Sequence, residues 1–359
     1  MANGQGSARS PIGRPISRRA VALAAGAVAV AAAAGSRARR VAAQTEATPT
    51  AGRLTIYSGR NENLVGPFIE QFTTATGIAA DVRYASTGEL ATTLLEEGDA
   101  SPADVFFAQD AGALGLLQDA GRFSPLPDAL LATVDPRFRS DAGLWTGTSA
   151  RARVLVYNTD ALAEDEVPDK VGTLLDPAWN GRVGWAPTNA SFQAFVTAFR
   201  TLEGDDAARA WLEGMVANGV VPFDDNTTIV LAVGNGELDL GLVNHYYKYA
   251  VLREEGADFP IENHYLDPAD PGALVNVAGA GIPGTAKHPA EALAFVEYLL
   301  SDDGQTYFAT KTSEYPVVGT VASPAGLPPL AKVGSPEINL TDLADLQGTV
   351  AMLTDLGIL

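Results

Sequence analysis

The segment "DLGLVNHYYKYAVLREEG", from Asp239 to Gly256, sets two phenols side by side where an apolar strand gives way to a helical run. Tyr246 and Tyr247 admit three readings from their types and spacing. One ring could fill a core while the other sits at the surface. Both could form a stacking platform for a sugar or a base. Both could ligate a metal through phenolate oxygen. A free tyrosine titrates near ~10, and a metal takes the deprotonated ligand. Only a strongly Lewis-acidic cation displaces that proton near neutral pH. A hard trivalent ion such as Fe(III) qualifies where Mg(II) or Ca(II) does not.

The same design of strand, short polar loop and helix start occurs three times, in "GWAPTNASFQ", "FDDNTTIV" and "LVNHYYKY". In open α/β sheets, ligands bind outside the carboxyl ends of strands. Helix starts there offer free N–H groups and a positive dipole end, which suits an anion. Thr188, Asn189 and Ser191 stand at the first start, Asn226 at the second and Asn244 at the third. Each is also an ordinary helix-capping residue type; the neighbouring tyrosines favour a ligand site. The histidines are weaker candidates: His245 precedes the tyrosines, His288 opens a helix-like run, and His264 is isolated. No Ser/His/acid arrangement of hydrolase type appears, and "VGNGELDLG" is not a phosphate-cradling loop.

The elements that must position these residues alternate. "RLTIYS", "IAADVRY" and "PADVFFA" read as strands. The helices "ENLVGPFIEQFTTATG", "TGELATTLLEEG" (with Thr87 as N-cap) and "DAGALGLLQDAG" separate and follow them. That rhythm implies a mainly parallel sheet covered by helices. A second series carries the three polar loops. Two long strands, Arg151 to Asn158 and Ala273 to Ile282, interrupt the regularity and read as crossovers between two α/β domains. A cleft between such domains is a common ligand site, and hinge closure is a recognised motion.

Composition narrows the function classes. The 359 residues suffice for two domains, and 47% are hydrophobic, enough for large cores. Residues 1–43 hold seven arginines and no acid; the remainder has 43 acids against 17 bases, a charge of −26. Such a surface argues against nucleic acid. The absence of cysteine removes disulfides, thiolate metal sites and thiol nucleophiles. At the amino terminus a basic start, an uncharged run from Ala20 to Gly35 and small residues at Val41, Ala42 and Ala43 have the layout of a secretory signal. Arg18-Arg19 after Ser17 resembles a twin-arginine export signal. Residues 44–52 then read as a linker.

The chain resembles the ferric-ion-binding proteins of bacterial ABC importers, a bacterial transferrin-like group of type II periplasmic binding proteins. The matching stretches are "LTIYSGRNE", "SPADVFFAQDAGALG", "RARVLVYNTD", "GRVGWAPTNASF", "NGELDLGLVNHYYKYA" and "EYPVV". The resemblance implies an α/β fold of two domains, 53–149 plus 278–322 and 150–277 plus 323–359, around a cleft. It implies an exported, non-enzymatic, monomeric protein that captures Fe(III) and passes it to a membrane permease. Tyr246 and Tyr247 match the paired phenolate ligands. Asn189, Ala190 and Ser191, with Asn226 and Asn244, match the loops holding a synergistic carbonate or phosphate. Arg60, Arg151 and Arg153 lie in matching segments and could face the cleft. Three departures stand out: Asn61 occupies a position where many relatives have His, Gln109, beside Asp110, one where some have a carboxylate, and Asn189-Ala190 one where some have an additional Tyr. Asp110 and Glu62 are possible substitutes. The same fold with a phosphonate, sulfonate, polyamine or free oxyanion as cargo remains open, as does an exported enzyme using the tyrosines as acid and base.

Overall fold

A computed structural model describes residues 52–359; the signal and all but the last residue of the linker lie outside the described residues. The chain opens with the expected rhythm: β1 (Arg53–Ser58), α1 (Glu62–Thr76), β2 (Ala79–Tyr84), α2 (Thr87–Glu97), β3 (Val105–Ala108) and α3 (Ala111–Asp119). Val65, Phe68, Ile69 and Phe72 form the buried stripe of α1, which Gly77 ends in a left-handed conformation. Ser86, not Thr87, caps α2, its hydroxyl accepting from the Glu89 N–H at 3.2 Å. Thr87 is thereby freed to meet its neighbours β1 and β3. Short β4 (Phe123–Ser124) and α4 (Asp128–Leu131) lead to the longest strand, β5 (Trp145–Asn158), all 14 residues of which are buried.

The second series is β6 (Val183–Trp185), α5 (Ala190–Glu203), α6 (Asp205–Ala217), β7 (Val221–Pro222), α7 (Asn226–Gly234), β8 (Leu240–Asn244), α8 (Tyr246–Glu255) and β9 (Ile261–His264). It is followed by β10 (Val275–Pro283), α9 (Pro289–Leu300), α10 (Asp302–Tyr307) and α11 (Leu346–Asp355). The strands run in the order β2-β1-β3-β10-β5-β8-β6-β7, with β4 on β10 and β9 on β5. β2-β1-β3 and β8-β6-β7 are parallel, whereas β10 and β5 are antiparallel to their neighbours. The expectation of a mainly parallel sheet therefore holds at each end and fails at the junction.

β5 makes that junction. Its Trp145–Ala152 portion pairs with β10, and Arg153–Tyr157 pairs with β8. Arg151 and Arg153 stand on either side of the change of partner. Alternate strand residues share a face, so both guanidinium groups project from one face of the junction. Apolar clusters flank the two ends of the sheet. Phe68, Phe72, Phe107 and Phe295 gather at the first end, and Trp185, Phe192, Phe195 and Trp211 at the second. The amphipathic tail serves both. Leu340 and Leu343 join the cluster containing Leu114 and Leu117 of α3. Met352 and Leu353 of α11 join the cluster of Phe192 and Phe195. A Cβ on Gly112 would lie 2.6 Å from the Leu343 carbonyl oxygen, so glycine is what permits the tail to lie this close to α3.

Candidate metal centre

Strand ends and helix starts from both ends of the sheet line one cavity of about 510 Å³. Asn189, Ala190, Ser191, Tyr246 and Tyr247 lie on one wall. Asn61, Thr87 and Gln109 lie on the other. A Cβ on Gly59 would fall 2.8 Å from the Thr87 Cα, so glycine lets the β1 exit and the α2 start converge there.

Tyr246 and Tyr247 open α8 directly after β8. Their ring centroids are 4.4 Å apart with planes tilted by 30°. Tyr246 is 5% exposed and Tyr247 half-buried. Burial, and next the neighbouring Tyr247, push the Tyr246 phenol well above its ordinary range. Without a strong positive charge against it, this phenol keeps its proton at neutral pH. The separate fates predicted by the core-and-surface reading do not occur: both rings line the cavity.

Three buried arginines lie near the phenols but are not among the residues lining the cavity. Arg60, Arg151 and Arg153 are each at most 3% exposed. Arg60 donates to both carboxylate oxygens of Glu314, at 2.9 and 2.6 Å. Burial alone would raise the Glu314 carboxyl, but Arg60 holds it below the usual range. Arg151 comes only to 3.6 Å of Glu314, and none of its three guanidinium nitrogens is hydrogen-bonded among the described residues. Arg153 donates to the Leu242 carbonyl at 3.1 Å and lies over the Phe192 and Phe195 rings at 5.6 and 5.0 Å. Its Nε and one terminal nitrogen have no partner among the described residues. Burial lowers Arg153 to about 9, opposed by the charges of Tyr247 and Tyr246. The guanidinium remains protonated at neutral pH.

The polar helix starts divide by role. Asn189 caps α5, its Oδ1 accepting from the Ser191 N–H at 2.9 Å and hydroxyl at 2.8 Å. Asn226 does not cap α7; Asp225 does, accepting from the Thr228 N–H at 2.9 Å. Both polar atoms of the Asn226 side chain, 1% exposed overall, are left without a partner among the described residues, as is the Asn244 amide nitrogen. Asn244 lies opposite Arg153 in the β5–β8 register. The two amide nitrogens are buried donors of the kind an anion would satisfy, whereas the Asn226 Oδ1 accepts.

Other candidates have structural partners. Asp110 caps α3 and is buried. Burial raises its carboxyl, and the Arg151 charge opposes this. Asn61 caps α1 and Glu62 is exposed in the first turn. His245 turns away from the cavity: its Nδ1 accepts from the Ala152 N–H at 3.2 Å, so Nε2 carries the proton that bonds the Ser313 carbonyl at 2.9 Å. Burial lowers it to about 4. His264 bonds Asp169 and His288 bonds Asp104. Among the described residues, no group of three or more His, Cys, Asp or Glu side chains could hold a metal. Glu314 is the participant that spacing did not single out. Its only signal was a lone acid ahead of the apolar "YPVV".

Residues 100–335 match the family model described as bacterial extracellular solute-binding protein. The chain belongs to that family. It is 35% identical over 308 residues to the Fe(3+)-binding periplasmic protein of Serratia marcescens, an overlap of 85% of this chain and 90% of that protein. The structure of iron-bound HitA from Pseudomonas aeruginosa superposes with a TM-score of 0.80 at 35% identity, covering 85% of this chain and 99% of the other. A Trichodesmium protein in complex with iron and citrate superposes with a TM-score of 0.73 at 27% identity, covering 85% and 99%. The fold is that of the type II periplasmic binding proteins. Among the described residues no helix is long and apolar enough to cross a membrane.

Proposed function

We propose that this solute-binding protein captures Fe(III) outside the cytoplasmic membrane and delivers it to the permease of an ABC importer, without catalysing a reaction. The observation that carries the reading is the pair of adjacent phenols lining the cavity near two buried, incompletely bonded arginines. The ferric names of similar proteins support it. Tyr246 and Tyr247 supply two phenolates. A carbonate- or phosphate-like oxyanion sits among Asn189, Ala190, Ser191, Asn226 and Asn244 and completes the shell with water. Arg151 and Arg153 hold the phenolates and the anion in their charged forms. Residues 53–149 plus 278–322 and 150–277 plus 323–359 act as the two closing domains, and the monomer is exported by the amino-terminal signal.

Titration of the purified apo protein with a ferric salt tests this. A visible phenolate-to-iron band should develop to one ion per chain. Each phenolic proton displaced contributes about tenfold loss of affinity per unit fall in pH, so acidification should weaken binding steeply. Tyr246→Phe with Tyr247→Phe should abolish the band and the stoichiometric iron, leaving the far-UV circular dichroism unchanged. Retention of one ferric ion with the original spectrum would make the tyrosines packing or stacking residues.

A further inference from the structure

We propose that His245 is a positioning residue for the metal: its imidazole fastens the start of α8 sideways to β5 and to Ser313, and this fixes the two phenol oxygens for one ion. This rests on the ferric reading and adds to that site a residue that does not itself line the cavity.

α8 starts without a cap of its own. Around the cavity, α1, α2, α5 and α7 begin on side-chain caps from Asn61, Ser86, Asn189 and Asp225. Such a bond holds the first turn from within the element. His245 occupies the cap position of α8 with helical backbone, φ −54° and ψ −33°, and its side chain makes no cap bond. The orientation of that first turn must then come from outside the helix. The pair it carries demands such control. Adjacent residues of a regular helix point about 100° apart, yet the Tyr246 and Tyr247 rings lie 4.4 Å apart with planes tilted by only 30°.

The bonds of His245 run to three other elements. The residue is fully buried. Its N–H donates to the Ala152 carbonyl at 3.0 Å, and the Ala152 N–H donates to Nδ1 at 3.2 Å. Nε2–H donates to the Ser313 carbonyl at 2.9 Å. The His245 carbonyl accepts from the Asn263 amide of β9 at 2.8 Å. Ala152 lies between Arg151 and Arg153 on β5, and Ser313 precedes Glu314, the partner of Arg60. The imidazole also meets the Tyr246 ring edge-on at 5.8 Å and lies against the Tyr315 ring at 4.6 Å. One side chain thus sets the phenol-bearing turn against the strand that carries Arg151 and Arg153 and the loop that carries Glu314.

Ser313 is a fixed receiver for that bond. Among the described residues it is the one non-glycine residue with a left-handed backbone, φ 58°. Such a conformation persists where the surroundings over-determine it. Its hydroxyl accepts from the Arg253 guanidinium at 3.2 Å. The adjacent Tyr315 exchanges both backbone hydrogen bonds with Ala150 of β5, at 2.9 and 2.8 Å. α8 is therefore clasped at its start and near its end on a segment itself tied to β5. Partners that orient metal ligands from behind are typically worth about ten- to hundredfold in affinity.

Titration of the full apo protein and its His245 variants with a ferric salt, followed by iron release to EDTA, tests this. His245→Leu keeps the bulk and removes both ring bonds. It should release iron about ten- to hundredfold faster, with a shifted or weakened phenolate-to-iron band and unchanged far-UV circular dichroism. His245→Gln, whose amide brings one acceptor and one donor, should return release to within about threefold of wild type. A lower melting temperature with the original band and release rate would make His245 a packing residue and overturn the proposal, as would a Gln variant no better than Leu. Should the Leu variant not fold, Asn263→Leu decides. It frees the His245 carbonyl and leaves the ring in place, and the Asn263 Oδ1 has no partner to lose among the described residues. Release about threefold faster is expected for the loss of one hydrogen bond; unchanged band and release overturn the proposal. Wild-type protein with a normal band beside unaltered variants leaves the ferric reading standing without this role for His245. Wild-type protein with neither iron nor a visible band overturns the ferric reading, and the positioning role with it.

Discussion

Two buried polar regions of this protein contrast sharply. At the first, the Asp104 carboxylate accepts the Thr55 N–H at 2.9 Å, the Lys287 N–H at 2.8 Å and the His288 N–H at 2.9 Å, and bonds the His288 ring at 3.0 Å. Burial would raise its pKa, yet these bonds hold it below the ordinary value. At the second, Arg151, Arg153, Asn226 and Asn244 are as deeply buried but keep unpartnered atoms among the described residues. Buried polar groups are normally satisfied. Where the protein satisfies them itself, as at Asp104, they fasten β1 and the start of α9 together. Where it does not, water or a ligand is left to satisfy them. The contrast separates a polar cluster satisfied by the chain itself from one that is open among the described residues.

The contrast can be broken from either side. The largest effect is expected at Asp104. Asp104→Ala leaves three backbone N–H groups and an imidazole without their acceptor; the three backbone groups alone cost about 3–9 kcal/mol at roughly 1–3 kcal/mol for each unsatisfied buried group. Chemical denaturation should show it, while the folded fraction still binds one ferric ion per chain. Lost iron stoichiometry in a fully folded variant would show that Asp104 serves the site.

Arg151→Met should do the reverse. Arg60 keeps its bidentate bond to Glu314, and a buried guanidinium with no hydrogen bond among the described residues is removed, so the apo melting temperature should hold or rise. Iron retention should fall by at least about a hundredfold if two charge-assisted bonds to phenolate or anion are lost. A destabilised variant with unchanged iron affinity would return Arg151 to a structural role.

The smallest effect sharpens the distinction within one helix start. Asn226→Leu should lower iron retention about tenfold, the equivalent of one hydrogen bond to a charged group, with no loss of stability, because Asp225 and not Asn226 caps α7. If thermal stability falls and iron binding does not, Asn226 belongs with Asp104.

Much of the architecture was legible in the chain. Apolar spacing gave α1, α2, α3 and the β10 run to within a few residues, because helix and strand periods are local properties; for β5 it gave Arg151 to Asn158 and missed the portion from Trp145 to Ala150. The capping assignments were less secure. Ser86 and Thr87 are adjacent and chemically alike, as are Asp225 and Asn226 in their capacity to cap; which one turns its oxygen to the helix N–H groups depends on what its neighbours occupy. Short β4, β7 and β9 went unread, since two to four residues carry no period and are strands only through their partners.

What the sequence determined by itself was the pair Tyr246-Tyr247, their place at a strand exit, and the excess of acids that turns attention away from nucleic acid. These are consequences of residue type and near-neighbour spacing. Tertiary structure decided the partnerships. It joined Arg60 to Glu314 across 254 positions, gave Asp104 four bonds, and set Arg151 and Arg153 where β5 exchanges β10 for β8. Hydrogen bonds and ion pairs depend on distance in space, and only the packed sheet brings those side chains within a few ångströms or leaves them without a neighbour.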